Sequence, residues 1–262
     1  MLKEKEVELF YNKVAKNYKE MHGKRFCDDL LEYFILKFLP QKKIKILDVG
    51  GGIGRFSIPL AKKGNFVVLS DISQAMLNEA KKTADKQKIN NIQFVKESIT
   101  EMKNQKNNSY DAVLVMNAIL DYCGDHKQAL REIRRVLKPN GVLIGSVNNR
   151  FKYCSENELK NGDFKLFKQN MRTGNRYIFW GIKEGHWTHE FTVDELKKDL
   201  QKSRFKIIKI MGIFNLLGKY DKPTWFSDEN KKKELFNLQI QYAELDEYAN
   251  NSSDYFFVAK KH

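Results

Sequence analysis

An acidic residue followed by a cluster of glycines is the pattern in this chain with the clearest chemical meaning. Asp48 precedes Gly50, Gly51, Gly52 and Gly54, and the cluster lies between an apolar run and a helical pattern. Glycine at a junction of strand and helix permits a tight turn and close approach of the backbone to a ligand, because no Cβ intervenes. The segment therefore predicts a ligand-binding loop.

The spacing of these glycines does not fit the nicotinamide dinucleotide fingerprint, in which a third glycine follows the second by three positions. If the motif starts at Gly50, that position is Arg55. If it starts at Gly52, the position is Ser57. The charge of Asp48 would also repel a pyrophosphate, whereas it would attract a cation. The alternative is an acid that caps the amides of the loop, with glycines that serve the turn alone.

The arrangement Asp-x-Gly-x-Gly-x-Gly of residues 48–54 resembles motif I of class I methyltransferases. The cofactor of that family, S-adenosylmethionine, carries a sulfonium and an ammonium group, which suits the acid at Asp48. Residues 97–99 resemble the family's adenine-holding segment, with Glu97 where the family usually has Asp. Residues 117–122 resemble the loop beside the methionine moiety and the acceptor.

The N-terminal segment YNKVAKNYKE resembles the lid helix of the methyltransferase group that includes the ubiquinone and menaquinone C-methylating enzymes. Such a lid could bring Tyr11 and Tyr18 over the sulfonium, where the attraction between cation and ring is strongest once water is excluded. Ordinary amphipathic packing is the alternative for both tyrosines. We predict that Tyr18 faces the cofactor.

Asp71 stands at the end of the second predicted strand, where an acid can accept hydrogen bonds from both ribose hydroxyls of a nucleoside. Its alternative role is a second cap, beside Ser73, on the following helix. The residues predicted to bind S-adenosylmethionine are Tyr18, Asp48, Gly50, Gly52, Gly54, Asp71, Ile72, Glu97, Ser98, Ile99 and Asn117.

The sequence identifies a catalytic base less sharply than a cofactor. His186, His189 and Asp121 are the candidates, because histidine titrates near neutral pH and the family often places acceptor-facing groups in these segments. The order His-x-x-His-Glu in GHWTHEF differs from the His-Glu-x-x-His of a zinc site, and no third ligand is evident, so we predict no metal. A helix cap or a packed histidine pair ahead of Thr192 is the alternative.

The elements that must position these residues alternate between strands and helices, which predicts an α/β fold with a doubly wound, mostly parallel sheet. The family resemblance implies seven strands, of which the last is antiparallel. The predicted strands cover residues 44–49, 66–69, 92–95, 110–116, 142–147, 205–213 and 255–259.

We predict a single domain, 1–262, in four parts. Residues 1–40 form an N-terminal helical lid, 41–147 the cofactor-binding core, 148–190 a substrate-side insertion before the sixth strand, and 191–262 the C-terminal part of the sheet. The insertion is rich in aromatic residues and lacks a clean period. We expect it to roof, with the N-terminal helix, a pocket above the carboxyl ends of the strands.

Composition restricts the class of protein. The chain has 262 residues, 42% of them hydrophobic and 31% charged, which is typical of a globular protein. No apolar run approaches membrane-spanning length, and the N-terminus lacks the apolar centre of a secretory signal. We therefore expect a cytoplasmic protein without membrane insertion. The three cysteines lie far apart, so we expect reduced thiols.

The formal net charge of +14 would favour a nucleic acid, an anionic membrane surface or an acidic substrate. The lysines are scattered, however, so a compositional bias explains the charge more simply. Base N-methylating enzymes usually carry an Asn-Pro-Pro-aromatic loop where this chain has Ala118 and Ile119. We predict methyl transfer from S-adenosylmethionine to a small-molecule acceptor. The alternatives are methylation of RNA or protein, and a non-catalytic module that binds S-adenosylmethionine.

Overall fold

A computed structural model describes residues 4–21, 26–179, 185–218 and 223–262. The strands are β1 Lys45–Val49, β2 Phe66–Asp71, β3 Ile92–Lys96, β4 Tyr110–Val115, β5 Leu137–Asn148, β6 Asn175–Phe179, β7 Gly185–His189, β8 Phe205–Ile213 and β9 Asp254–Lys261. The helices are α1 Glu4–Met21, α2 Phe26–Phe38, α3 Ser57–Lys62, α4 Gln74–Lys86, α5 Ile119–Tyr122, α6 His126–Val136, α7 Arg150–Cys154, α8 Phe164–Thr173, α9 Val193–Lys202 and α10 Glu229–Ala243.

Seven of these strands form one sheet in the order β3-β2-β1-β4-β5-β9-β8. Strands β1 to β5 pair in parallel, and β9 pairs antiparallel with both β5 and β8. The structure thus confirms the predicted seven-stranded, mostly parallel sheet with an antiparallel last strand.

Alternation along the strands builds a core on each face of the sheet. In β1, Ile46 faces the core that includes α2, α3 and α4, whereas Leu47 faces the core that includes α6 and α9. Both side chains are completely buried. Strands covered on both faces form near-continuous apolar runs, which is why the sequence predicts this part of the sheet well.

The order of the strands reverses between β1 and β4. The chain runs outward from β1 through β2 to β3 and then returns to the other side of β1 at β4. At such a switch point the loops after the two strands diverge and leave a crevice at the carboxyl end of the sheet. The glycine loop after β1 lies at this crevice.

The insertion before the sixth strand of the large sheet has its own structure. Helix α7, a π-helical turn at Ser155–Leu159 and helix α8 lead into an antiparallel hairpin of β6 and β7. Among the described helices, none is long and apolar enough to cross a membrane.

Candidate functional site

A cleft opens at the switch point of the sheet, with about 920 Å³ of empty space that is partly continuous with solvent. Its walls come from the glycine loop, the ends of β2, β3 and β4, and helix α1. The lining residues are Glu4, Val7, Tyr11, Tyr18, Asp48, Val49, Gly50, Gly51, Gly52, Ile53, Arg55, Phe56, Asp71, Ile72, Met76, Glu97, Ile99, Met116, Asn117, Ile119, Tyr122 and Cys123.

The glycine loop is anchored on the neighbouring strand. The backbone N–H groups of Gly50 and Gly51 donate to the carbonyl of Ser70, at 2.8 and 3.2 Å. Gly52 has a positive φ of +54°, and a Cβ built there would meet no protein atom within 4 Å. The space beside Gly52 is therefore open for a ligand, and glycine at this position keeps it open.

Asp48 is 1% exposed at the floor of the loop. Its Oδ2 accepts a 2.6 Å hydrogen bond from the hydroxyl of Ser57 in α3. A Cβ on Gly51 would stand 2.8 Å from the same oxygen, so the carboxylate also requires glycine there.

Asp71 at the end of β2 has two backbone partners. Its Oδ2 accepts from the N–H of Gly52 at 2.9 Å, and its Oδ1 accepts from the N–H of Ser73 at 2.8 Å. Ser73 caps α4, because its hydroxyl accepts from the N–H of Met76. Asp71 thus connects the glycine loop to the start of α4. Each carboxylate oxygen has a second lone pair and can still accept a hydroxyl donor.

Both acids carry raised pKa values. Burial raises the pKa of Asp48 to about 7, against the Ser57 hydrogen bond, and the nearby charge of Asp71 adds to the rise. Burial also raises the pKa of Asp71 to about 6, although its backbone hydrogen bonds act in the opposite direction. A cation placed beside them would favour their ionised forms.

Glu97 follows β3 and is held by a chain of side-chain hydrogen bonds. The Nε2 of Gln105 donates to Glu97 Oε1 at 2.5 Å, and the hydroxyl of Tyr110 donates to Gln105 Oε1. The direction of the chain follows from the carboxylate, which only accepts and so requires the amide NH₂ of Gln105. Arg135 of α6 fixes the loop by donating to the carbonyl of Gln105 at 2.7 Å. No sequence pattern indicates Gln105, because this contact depends on how the loop folds back.

Helix α1 closes one side of the cleft and is fastened at three places. Glu4 accepts from the hydroxyl of Ser98 at 2.6 Å, and Glu8 pairs with Lys96 at 2.7 Å. The side-chain oxygen of Asn12 accepts from Ser73 Oγ at 2.8 Å and from the N–H of Ala75 at 3.2 Å. Asn12 therefore adds an acceptor from α1 to the N-terminus of α4. The sequence did not single out Asn12, because this is a long-range capping contact.

Nine of the residues predicted to bind the cofactor line the cleft, namely Tyr18, Asp48, Gly50, Gly52, Asp71, Ile72, Glu97, Ile99 and Asn117. Gly54 and Ser98 lie outside that lining. Gly54 closes the turn by donating to the carbonyl of Gly51 at 2.9 Å, and Ser98 holds α1 through Glu4. The guanidinium of Arg55 lies 5.5 Å from the ring centre of Tyr18 and pairs with Asp28.

None of the three candidates for a catalytic base is among the cleft-lining residues. Asp121 is fully buried and accepts from the N–H of Asn148 at 2.9 Å. His189 bonds Asn175 and Glu195 at 2.9 and 3.0 Å. Both contacts tie structural elements together.

His186 comes nearer to the cleft. Its ring lies 5.2 Å from that of the lining residue Tyr122, and burial lowers the pKa of His186 to about 4. His186 and His189 are three residues apart on strand β7, which places them on opposite faces, so they do not form a packed pair. His189 instead stacks on His126, at 4.7 Å between ring centres.

The described part of the insertion does not have the expected place over the cleft. No described residue of 148–190 lines the cleft. The inner face of the hairpin packs against the cleft wall from behind, since Ile178 contacts the cluster of Val7, Ala118 and Tyr122. Tyr177 and Trp187 of the hairpin are exposed to solvent. Trp180 lies outside the described residues.

The profile of a family described as a methyltransferase domain matches residues 40–222. The ubiquinone/menaquinone biosynthesis C-methyltransferase UbiE of Rickettsia prowazekii is 32% identical over 182 residues, which cover 67% of this chain and 69% of that relative.

Two further similarities are more restricted. The tRNA 5-carboxymethoxyuridine methyltransferase of Escherichia coli is 31% identical over 110 residues, and the match spans only 42% of each chain. The magnesium protoporphyrin IX methyltransferase of Synechocystis, solved with bound S-adenosylhomocysteine, has a TM-score of 0.62 at 14% identity and covers 98% of both chains. At that identity the likeness shows the fold alone.

Proposed function

This chain belongs to the methyltransferase-domain family of class I, S-adenosylmethionine-dependent enzymes, and on that basis we propose that its cleft binds S-adenosylmethionine and that the methyl acceptor is a small organic molecule. The cofactor supplies an activated methyl group when bound. The residues of the cleft hold the cofactor, orient the acceptor and exclude water.

The residues present fit this cofactor. Gly52 leaves open space beside two buried acids, and acids with pKa values near 6 and 7 gain from a cationic ligand. Asp71 retains acceptor capacity for ribose hydroxyls. Glu97, fixed by Gln105, offers a carboxylate acceptor to a nitrogen donor on the base. Tyr18 adds an aromatic ring from the lid.

The charge of the cleft supports a small acceptor. Four carboxylates line it, from Glu4, Asp48, Asp71 and Glu97, whereas the cation of Arg55 is already paired with an acid. A cleft with this charge opposes entry of a phosphate backbone, even though the whole chain carries a charge of +14. Helix α1 also covers the cleft, which favours an acceptor small enough to be enclosed.

Positioning carries most of the catalysis in this proposal. The described residues that line the cleft include no histidine and no lysine. Alignment of the acceptor with the methyl group, and exclusion of water by α1, can each contribute strongly to the rate of a direct displacement. Among the three candidate bases, His186 can influence the reaction through the ring of Tyr122, so we propose it as a positioning residue.

The test separates acceptor classes. The purified protein is incubated with S-adenosylmethionine labelled in the methyl group and, separately, with low-molecular-weight, RNA and protein fractions of a cell extract. The proposal predicts label in the low-molecular-weight fraction. Label confined to RNA would instead support an acceptor like that of the E. coli relative, and tight cofactor binding without transfer to any fraction would support a non-catalytic module.

A further inference from the structure

The described part of the insertion carries a large share of the exposed hydrophobic side chains for its length. Five of the twelve large hydrophobic side chains that are exposed among the described residues fall within 151–187, and they are Phe151, Phe164, Leu166, Tyr177 and Trp187. Phe164 is 63% exposed. Single exposed hydrophobic residues are ordinary, but a concentration of them marks an interaction surface.

The described acidic residues of the insertion form ion pairs or cap a helix. Glu158 and Glu190 are buried and pair with Arg176, at 3.0 and 2.6 Å. Glu156 pairs with a lysine one helical turn away, at 3.1 Å. Asp163 caps α8. Two of these four acids are therefore buried in ion pairs, whereas Glu156 and Asp163 are exposed and have only local partners.

Several cations of the segment are exposed and have no ion pair with any described residue. They are Lys160, Lys165, Lys168 and Arg172. In α8 the positions 165, 168 and 172 are three and four residues apart, so these side chains share one face of the helix. Phe164 and Leu166 flank that face, whereas the opposite face is turned inward at Asn170. We name Lys160, Lys165, Lys168 and Arg172 with Phe164 and Leu166 the α8 surface.

We propose that the α8 surface docks on an anionic lipid bilayer. The boundary of such a bilayer offers negative headgroups to the cations of the outward face and an apolar phase to Phe164 and Leu166, which lie on the two sides of that face. A nucleic-acid backbone would pair with the same cations, but it offers no apolar phase to exposed phenylalanine and leucine side chains. Because α8 has ten residues, the docking is peripheral and reversible.

The α8 surface belongs to the element that supports the cleft wall. Helix α8 leads through Gly174 directly into β6, which pairs with β7. Strand β7 carries the exposed Trp187 next to the buried His186, whose ring contacts Tyr122 of the cleft. Docking would therefore place the cleft close to the bilayer. The inference goes beyond the proposed function and does not depend on it, because vesicle binding is measured without methyl transfer.

Sedimentation of the full chain with vesicles tests the proposal. The vesicles are pure phosphatidylcholine, or phosphatidylcholine mixed with phosphatidylglycerol. We expect binding to the anionic vesicles only, weakened at least about tenfold by the pair Lys165→Glu and Lys168→Glu, and also by the pair Phe164→Ser and Leu166→Ser. Circular dichroism and thermal melting confirm that each variant is folded.

Two matched controls keep the test specific. Lys81→Glu with Lys86→Glu in α4 makes the same change in net charge at exposed lysines elsewhere, and Leu238→Ser removes an exposed leucine from α10. Both controls should bind anionic vesicles like the parent chain. Absence of vesicle binding, or equal weakening by the control pair, would overturn the proposal. So would binding to single-stranded RNA that the lysine pair abolishes and the apolar pair leaves intact, in the absence of vesicle binding.

Discussion

The hydroxyl of Ser57 donates a 2.6 Å hydrogen bond to Asp48 Oδ2, and both side chains are buried. This bond favours the ionised carboxylate, but burial outweighs it and raises the pKa of Asp48 to about 7. Asp71, whose charge also raises the pKa of Asp48, stands at the end of the adjacent strand. We therefore expect ligand binding to depend on pH.

Because the folded-state pKa values of Asp48 and Asp71 are raised above 3.8, to about 7 and about 6, the protonated forms stabilise the ligand-free protein. The contribution of these protonated acids to the stability of the ligand-free protein is complete below about pH 4, and it is lost as the pH rises through 6 and 7. A cationic ligand favours the ionised forms. We therefore expect the rise in melting temperature caused by S-adenosylmethionine to grow from about pH 5 to about pH 8, which thermal-shift measurements at several pH values would check.

Ser57→Ala should shift the pH dependence of S-adenosylmethionine binding. The substitution removes a hydrogen bond that lowers the pKa of Asp48, so the midpoint of the affinity profile should move to higher pH. Asp48→Asn should weaken binding and flatten the profile, because the titrating group is gone. A profile that keeps its midpoint in Ser57→Ala would show that another group controls it.

Gly52→Ala should weaken binding of S-adenosylhomocysteine by at least about tenfold, or roughly 1.4 kcal/mol. The new Cβ meets no protein atom and projects into the space proposed for the ligand. Backbone strain at a positive φ costs roughly 1–2 kcal/mol of stability as well. Gly162→Ala is the matched control, since Gly162 has a φ of +75° and equally open surroundings but does not line the cleft. Equal affinity in the two variants would remove Gly52 from the site.

Gln105→Met should remove the two side-chain hydrogen bonds that connect Tyr110 to Glu97 through Gln105. We expect a loss of about 1–3 kcal/mol of stability, because the hydroxyl of Tyr110 is left buried without its acceptor. The preference for S-adenosylhomocysteine over its inosine analogue should also fall, since Glu97 loses the hydrogen bond from Gln105. Tyr110→Phe is the control. This substitution removes the hydrogen bond from Tyr110 to Gln105 but keeps the one from Gln105 to Glu97. Stability should therefore fall while the preference for adenine remains.

Asn12→Ala should weaken cofactor binding with little change in the melting temperature of the ligand-free protein. The substitution removes the Asn12 oxygen that accepts from Ser73 and from Ala75. Each of these hydrogen bonds contributes about 0.5–1.5 kcal/mol. Ser73 keeps its own capping bond to α4. Asn17→Ala changes an exposed asparagine of the same helix and should have no effect. Equal affinities in the two variants would contradict the fastening role of Asn12.

The sequence predicted the sheet well because its signals are local. The run before Gly50 and the apolar strand β4 are buried on both faces, and the glycine cluster marks the turn at the end of the first strand. The predicted strand at 205–213 coincides with β8, and the final antiparallel strand is confirmed.

The parts that could not be predicted depend on contacts that leave no periodic pattern in the sequence. Asn12 of helix α1 contacts Ser73, and Gln105 contacts Glu97 where the loop after β3 folds back. The insertion was expected over the cleft because of its aromatic content. Composition indicates that such side chains are buried or bound somewhere, but it does not indicate on which side of a hairpin they lie.

Titration calorimetry with S-adenosylmethionine, S-adenosylhomocysteine and NADH decides which ligand the cleft binds. We expect binding of both sulfur nucleosides at micromolar or tighter affinity, about 8 kcal/mol or more, with no heat from NADH and no competition by it. The same titrations with Asp71→Ala should show affinity reduced by roughly 1.5–3 kcal/mol, the range for hydrogen bonds to a charged group. Binding of NADH with no response to either sulfur nucleoside would contradict the assignment of the cleft.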